Sequence, residues 1–394
     1  MFRPACLLLL LPACAEPMRG AVGRPSRPAA KARTLTVDCA GAGEYTDVLS
    51  AIDAADSGDT IEVAPCTYAG SIDFRGRELH IVSTGGPEVT FIVATAGEPV
   101  VEVDRGEGPG TILEGFTLVG GGGVDKPAIE EQFSALTLRD VVITGSSGTS
   151  TVYARSSMIR LERVWIDATN VTSSGMVVEG RRGALVVKDS VVECGTSAIG
   201  LLVEHGAGFF DGVTANCPAG TAAEIFHAPS RVQRSVFSGL VHVENETRSA
   251  ETSVFEGNVF LGGLRANTAS AEVHNAVFDG AGVTTSGASV TVAGSIFINA
   301  ACALTSSGAG SLRVESSIFY GNTANNCSDD DPVGSSGNVA GDPLFTDLGK
   351  GDYTLQAGSP AIDAGPAGQE WADVDGTRND MGAWGGPFRL GGGW

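Results

Sequence analysis

Apolar positions recur along this chain in one repeated phrase. In "LRVESSIFYG" (312–321) an apolar residue, Val314, is followed by a polar pair, then by a β-branched and aromatic pair, and a glycine closes the unit. The same phrase stands in "VTVAGSIFIN" (290–299), "AEVHNAVFDG" (271–280), "SRVQRSVFSG" (230–239), "LVVKDSVVEC" (185–194), "IRLERVWIDA" (159–168) and "LTLRDVVITG" (136–145). With weaker copies, units end at 120, 145, 168, 194, 216, 239, 262, 280, 299 and 321, a period of 18 to 26 residues. A period of this size marks a stacked repeat rather than a set of independent domains.

The phrase dictates short strands joined by a sharp corner. Its apolar position is Leu138, Leu161, Val187, Phe209, Val232, Phe255, Val273, Val292 and Val314 in turn. The second polar residue is Asp140, Arg163, Asp189, Asp211, Arg234, Gly257, Asn275, Gly294 and Ser316, of which six are Asp, Asn or Gly. Those types enter the left-handed backbone region most cheaply, so each unit is predicted to turn there. The next position outward would carry a column of Arg139, Glu162, Lys188, Gln233, Glu256 and His274. Opposite charges on adjacent rungs of such a column contribute about 0–1 kcal/mol per exposed pair.

Composition agrees. The 394 residues include 55 glycines and 42% apolar residues, and no long stretch has helical apolar spacing. Strand, corner, strand, loop and strand make one rung of a parallel β-helix, with rungs about 4.8 Å apart.

On these units the chain resembles right-handed parallel β-helix proteins of the pectin-lyase-like class, over roughly residues 34 to 345. "YTDVLSAIDAADSGDTIEVAPCTY" (45–68) is similar to their first segment, in which a short helix closes the open end of the coil before a "GDTI.V" strand. Val48, Ile52 and Ala55 fall on one face of that helix and Gly58 stops it, although any amphipathic helix before a strand would look alike. Cys66 replaces the glycine usual in the following turn. At the other end, "DPLFTDLGKGDYTLQAGSPAIDAG" (342–365) and "DVDGTRNDMGAW" (373–384) resemble the tail of bacterial surface proteins with a choice-of-anchor Q domain. The resemblance implies a cap over residues 342–394, with Leu344, Phe345, Tyr353, Leu355 and Ile362 covering the last rung.

The start of the chain points outward from the cell. "LPAC" (11–14), behind Arg3 and a short apolar run, is similar to a lipobox, which implies a signal peptide over 1–13 and a lipid on Cys14. Pro12 is atypical of a lipobox, and an ordinary secretory signal is the alternative. Residues 14–33, with Arg19, Arg24, Arg27, Lys31 and Arg33 among Pro and Gly, read as a tether. Removing Arg3, these five cations and Glu16 from 25 basic and 46 acidic residues leaves 19 and 45, so the solenoid is acidic. That charge excludes nucleic acid as an expected partner and disfavours acidic polysaccharide unless calcium bridges it. The only membrane contact foreseen is the N-terminal lipid.

Candidate chemistry is sparse. The resemblance raises the prospect of a polysaccharide lyase, hydrolase or esterase, but of the class's hydrolase patterns only a "DD" occurs, in the loop-like "SDDD" (328–331). "EHG" (204–206) is the nearest catalytic phrase, with Glu204 placed to orient His205, against the plainer reading of a polar turn. Trp165, Tyr153 and Phe226 are aromatic candidates, the first expected in packing and the others in loops. "DVDG" hints at calcium on Asp373 and Asp375, yet its glycine is misplaced for an EF-hand, and turn-forming carboxylates are the competing reading. No cofactor is expected. The leading expectation is a non-catalytic surface rod for adhesion, envelope structure or glycan contact, the alternative a polysaccharide-degrading enzyme.

With Cys6 in the signal and Cys14 lipidated, six cysteines remain. Cys39 and Cys66, Cys194 and Cys217, and Cys302 and Cys327 are separated by 27, 23 and 25 residues, about one rung each. Residues one rung apart meet the Cα separation that a disulfide accepts, so these three pairings are expected, with buried free thiols as the alternative.

Overall fold

The computed structural model describes residues 31–121, 126–146, 148, 150–171, 176–195, 199–246 and 251–390. Cys14, the signal segment and all of the tether before residue 31 lie outside the described residues. The chain is a parallel β-helix. One sheet has 13 strands running from Thr34–Val37 to Ser311–Glu315, a second has 11 from Ile72–Asp73 to Leu304–Ser307, and a third has 13 from Thr67–Ala69 to Val339–Ala340. At about 4.8 Å per rung the stack is roughly 60 Å long.

Alternation within each short strand sends one side chain inward per rung, and the register repeats it. In the first sheet Leu113, Leu138, Leu161, Val187, Phe210, Val232 and Phe255 face one another in succession, all fully buried. In the third sheet Phe237, Phe260, Phe278, Phe297 and Phe319 stack with centroids 4.8–5.8 Å apart. Offset stacking of this kind adds to the area each ring buries.

The left-handed corner stands where the phrase predicts it, with one correction. Asp140, Arg163, Asp189, Arg234, Asn275 and Ser316 have φ between 45° and 53°, and Gly257 and Gly294 have 65° and 60°. Between them the corner falls on Gly212, not Asp211, and the inward residue is Phe210, not Phe209. The doublet Phe209–Phe210 hid the register. Asp211 joins the outward column beside Lys188 and Gln233, and the unit ends on Cys217.

Each corner also satisfies a backbone donor that the turn would strand. The residue after the left-handed one is often Ser or Asn, and its buried side chain accepts from the same position one rung earlier: Ser190 from Val164 N–H at 3.0 Å, Asn258 from Ser235 at 2.9 Å, Ser317 from Ser295 at 3.1 Å. Buried amides demand such partners. A second left-handed corner, between the second and first sheets, carries Phe133, Ser156, Arg182, His205, His227 and Thr268 at φ 48–56°.

The helix Val48–Ala54 closes the N-terminal end, burying Val48, Ala51 and Ile52, with Asp47 capping Ser50 N–H at 2.8 Å. Arg33, read as tether, is docked instead: its guanidinium lies 2.8 Å from the buried Asp59. The C-terminal segment departs from expectation. It runs along the flank of the solenoid, not over its last rung. Val259, Val277, Ile296 and Ile318 point outward from the third sheet and are buried under Tyr353, Ala361, Met381, Ala383 and Leu390. Asn275 and Asn379 bond reciprocally, Gly382 N–H donates to Gly294 O at 2.8 Å, and His274 lies against Trp371 at 4.5 Å. Leu344 and Ile362 stay exposed. At the end of the stack the half-buried Leu312, Val314 and Val333 pack against the core.

Three disulfides join Cys39 to Cys66, Cys194 to Cys217 and Cys302 to Cys327, with Cα separations of 6.4, 4.9 and 6.0 Å. Such bonds persist in oxidising compartments. Among the described residues no helix is long and apolar enough to cross a membrane.

Candidate functional site

Glu204 ends the strand Ile199–Glu204 of the second sheet, and His205 takes the left-handed corner after it. Parallel register places Arg155, Arg181, Glu204, Phe226 and Glu244 in one outward row, and Tyr153, Glu179, Leu202, Glu224 and His242 in the row beside it. Tyr153 and Phe226 therefore sit on strands, not in loops. Together Tyr153, Arg155, Glu179, Arg181, Arg182, Glu204 and His205 line an open groove of about 420 Å³.

Electrostatics fix the middle of this groove. Arg181 binds both Glu179 and Glu204, and Ser150 donates to the buried Glu179 at 3.0 Å. Glu204 does not orient His205: the nearest approach is 3.8 Å, too long for a hydrogen bond. His205 instead stacks on His227, with centroids 5.0 Å apart and planes within 6°, and Phe226 meets both rings edge-on. One rung further, His242 lies 3.8 Å from Glu224, 3.3 Å from Glu244 and 2.9 Å from Asn267. His227 and His242 escaped the sequence reading. The signal for His227 was its distance from His205, one repeat period.

A second cluster lies on the first rungs of the same sheet. Asp73, Glu102 and Glu130 are in register on successive strands. Burial, then the neighbouring charges of Asp104, Asp73 and Glu130, raise the Glu102 carboxyl above the ordinary glutamate range. These rungs precede the clear copies of the repeat, so register could not be assigned from sequence.

Several other carboxylates singled out by the sequence or its repeat are engaged. Asp140 is held low by a bidentate pair with Arg163 at 2.7 Å. Burial pushes Glu162 upward, but Arg139 and Arg160 outweigh it and hold it low. Asp373 accepts from the backbone N–H groups of Asp380 and Gly386, and Asp375 from Thr377 at 3.0 Å. Both thus act as turn-forming carboxylates here, and among the described residues no cluster of three or more His, Cys, Asp or Glu is placed to hold a metal. "SDDD" is a surface loop in which Asp329 accepts from Ser306 and Asp331 from Asn325. Trp165 is 44% exposed, so it is not packed as expected.

No protein-family model matches the chain, and no curated protein does. Among solved structures, pectate lyase Pel9A aligns over 89% of this chain and 96% of its own, at 13% identity and a TM-score of 0.32.

Proposed function

We propose that the protein is an exported β-helix, held at the bacterial surface by a lipid on Cys14, whose second-sheet face contacts an extended glycan without cleaving it. The groove carries this reading: it is open, crosses successive rungs, and combines Tyr153 with guanidinium and carboxylate groups, the mixture that grips a polyhydroxylated chain. Its carboxylates Glu179 and Glu204 are both engaged by Arg181, whereas Glu131, raised to about 8, is sealed in the core away from any substrate.

A glycan array with the mature protein, with and without calcium, is expected to show retention of at least one glycan, with no shortened products from pectin, polygalacturonate or alginate. Cys14→Ala should move the protein from membrane to soluble fractions; unchanged partitioning removes the lipid from the proposal. The Asp73, Glu102 and Glu130 row favours a second reading, a polysaccharide-degrading enzyme. Turnover abolished by Glu102→Gln would establish it.

A further inference from the structure

On the middle rungs of the first sheet several arginines find carboxylates on the neighbouring rung: Arg139 is 3.1 Å from both Glu114 and Glu162, Arg163 2.7 Å from Asp140, and Arg234 2.6 Å from Asp211. The groove of the second sheet differs from those rungs. Arg155 and Arg182 are exposed, both line it, and among the described residues neither has an ion-pair partner. Arg155 also faces Arg181 directly across the parallel ladder, and Arg182 follows Arg181 at the corner. Like charges on facing strand positions cost stability, and a chain of net charge −21 has carboxylates to spare for pairing. Two unpaired guanidiniums beside a third therefore make the groove a local exception to the acidity that disfavours acidic polysaccharide along the rest of the rod, and they ask for an anion from outside.

We infer that this groove binds a tetrahedral oxyanion, a sulfate or phosphate ester carried on a saccharide, between Arg155 and Arg182. Arg181 is already committed to Glu179 and Glu204, which fixes the wall between the two free groups. Each guanidinium presents a planar fork that takes two oxygens. A carboxylate offers two oxygens to share between the forks, whereas an ester of sulfate or phosphate offers three terminal oxygens in a tetrahedral spread and serves both more fully. Tyr153 lies one pleat from Arg155 on the same strand and supplies a ring against which the sugar stacks.

This deepens the glycan reading and rests on it only for the sugar, not for the anion. The test titrates the protein with a sulfated galactan oligosaccharide, its desulfated counterpart and inorganic phosphate, by calorimetry at low and high salt. The sulfated chain should bind at least about tenfold tighter than the desulfated one, and Arg155→Ala with Arg182→Ala should remove about tenfold of that affinity. Added salt should weaken it. The double variant should melt no lower than the wild type, because neither side chain holds an ion pair and the repulsion between Arg155 and Arg181 is removed. Equal binding of both oligosaccharides, or full affinity in the double variant, overturns the anion site while leaving glycan contact standing. Phosphate binding lost in the double variant, with no oligosaccharide bound, upholds the anion site and removes the glycan reading.

Discussion

Asn275 and Asn379, 104 residues apart, hold each other through paired amide hydrogen bonds of 2.8 and 3.1 Å, both side chains buried. Asn275 occupies a left-handed corner of the solenoid and also donates to Asp380 O at 2.7 Å. The pair is the clasp between the flank and the C-terminal segment. Removing one amide leaves the other buried without its partner, a loss of roughly 1–3 kcal/mol. Asn379→Ala is therefore expected to loosen residues 342–390 selectively. Faster proteolysis within that segment, with a shift in the fluorescence of Trp371 and Trp384, would report it; an unchanged digestion pattern would show that the apolar contacts suffice.

Glu131 points into the core, with neither carboxyl oxygen hydrogen-bonded. Burial raises it to about 8, against smaller lowering influences from Ser157 and the Leu136 backbone. Between the ordinary glutamate value and about 8 the folded chain binds a proton that the unfolded chain has lost. Stability should therefore fall as pH rises through that window and level off above it. Glu131→Gln is expected to flatten this dependence and, at pH 9, to exceed the wild type by up to about 5 kcal/mol. Parallel slopes for the two proteins in denaturant melts from pH 5 to 9 would refute the assignment.

The stacked phenylalanines predict a steep cost at their centre. Phe278 lies 4.8 Å from Phe260 on one side and 4.8 Å from Phe297 on the other. Phe278→Ala opens a cavity between them and should lose about 3–5 kcal/mol, with Phe278→Leu losing less. Urea unfolding of the two variants measures the difference.

Cys39 and Cys66 close a loop around the N-terminal helix, with a sequence separation of 27. On the chain-entropy model that closure contributes roughly 3 kcal/mol. Replacing both by Ser should lower the unfolding midpoint and raise hydrogen exchange first at Thr34–Val37 and Thr60–Val63. Uniform exchange along the whole stack would mean that the end rungs open only with the rest.

The repeated phrase made the rungs and one corner legible, because inward apolar residues and left-handed residues are local requirements that each unit must meet alone. The slip at Phe209 and Phe210 shows the limit of that logic: two equivalent rings leave the inward position undetermined, and only pairing with Val187 and Val232 decides it. The flank position of the C-terminal segment was not legible from its own residues. A clue lay elsewhere, in third-sheet strands that are apolar on both faces, such as Val259–Phe260 and Ile296–Ile298. An outward Val or Ile in every such rung implies a cover. The groove stayed hidden because Arg155, Arg181 and Glu204 are neighbours only through register.

The cover reaches from Arg231, which packs on Phe388, to Ile318. It ties several rungs to one another laterally, as a splint does, and the Cys194–Cys217 bond begins just above it. Between Cys66 and Cys194, among the described residues, the rungs have neither splint nor disulfide and are joined by strand pairing and by ion pairs such as those of Arg139 with Glu114 and Glu162. A rod tugged along its axis would yield in that span, peeling rung by rung while the splinted half kept its shape. Stiffness is thus graded along the rod, lowest between Cys66 and Cys194 and highest where the splint lies.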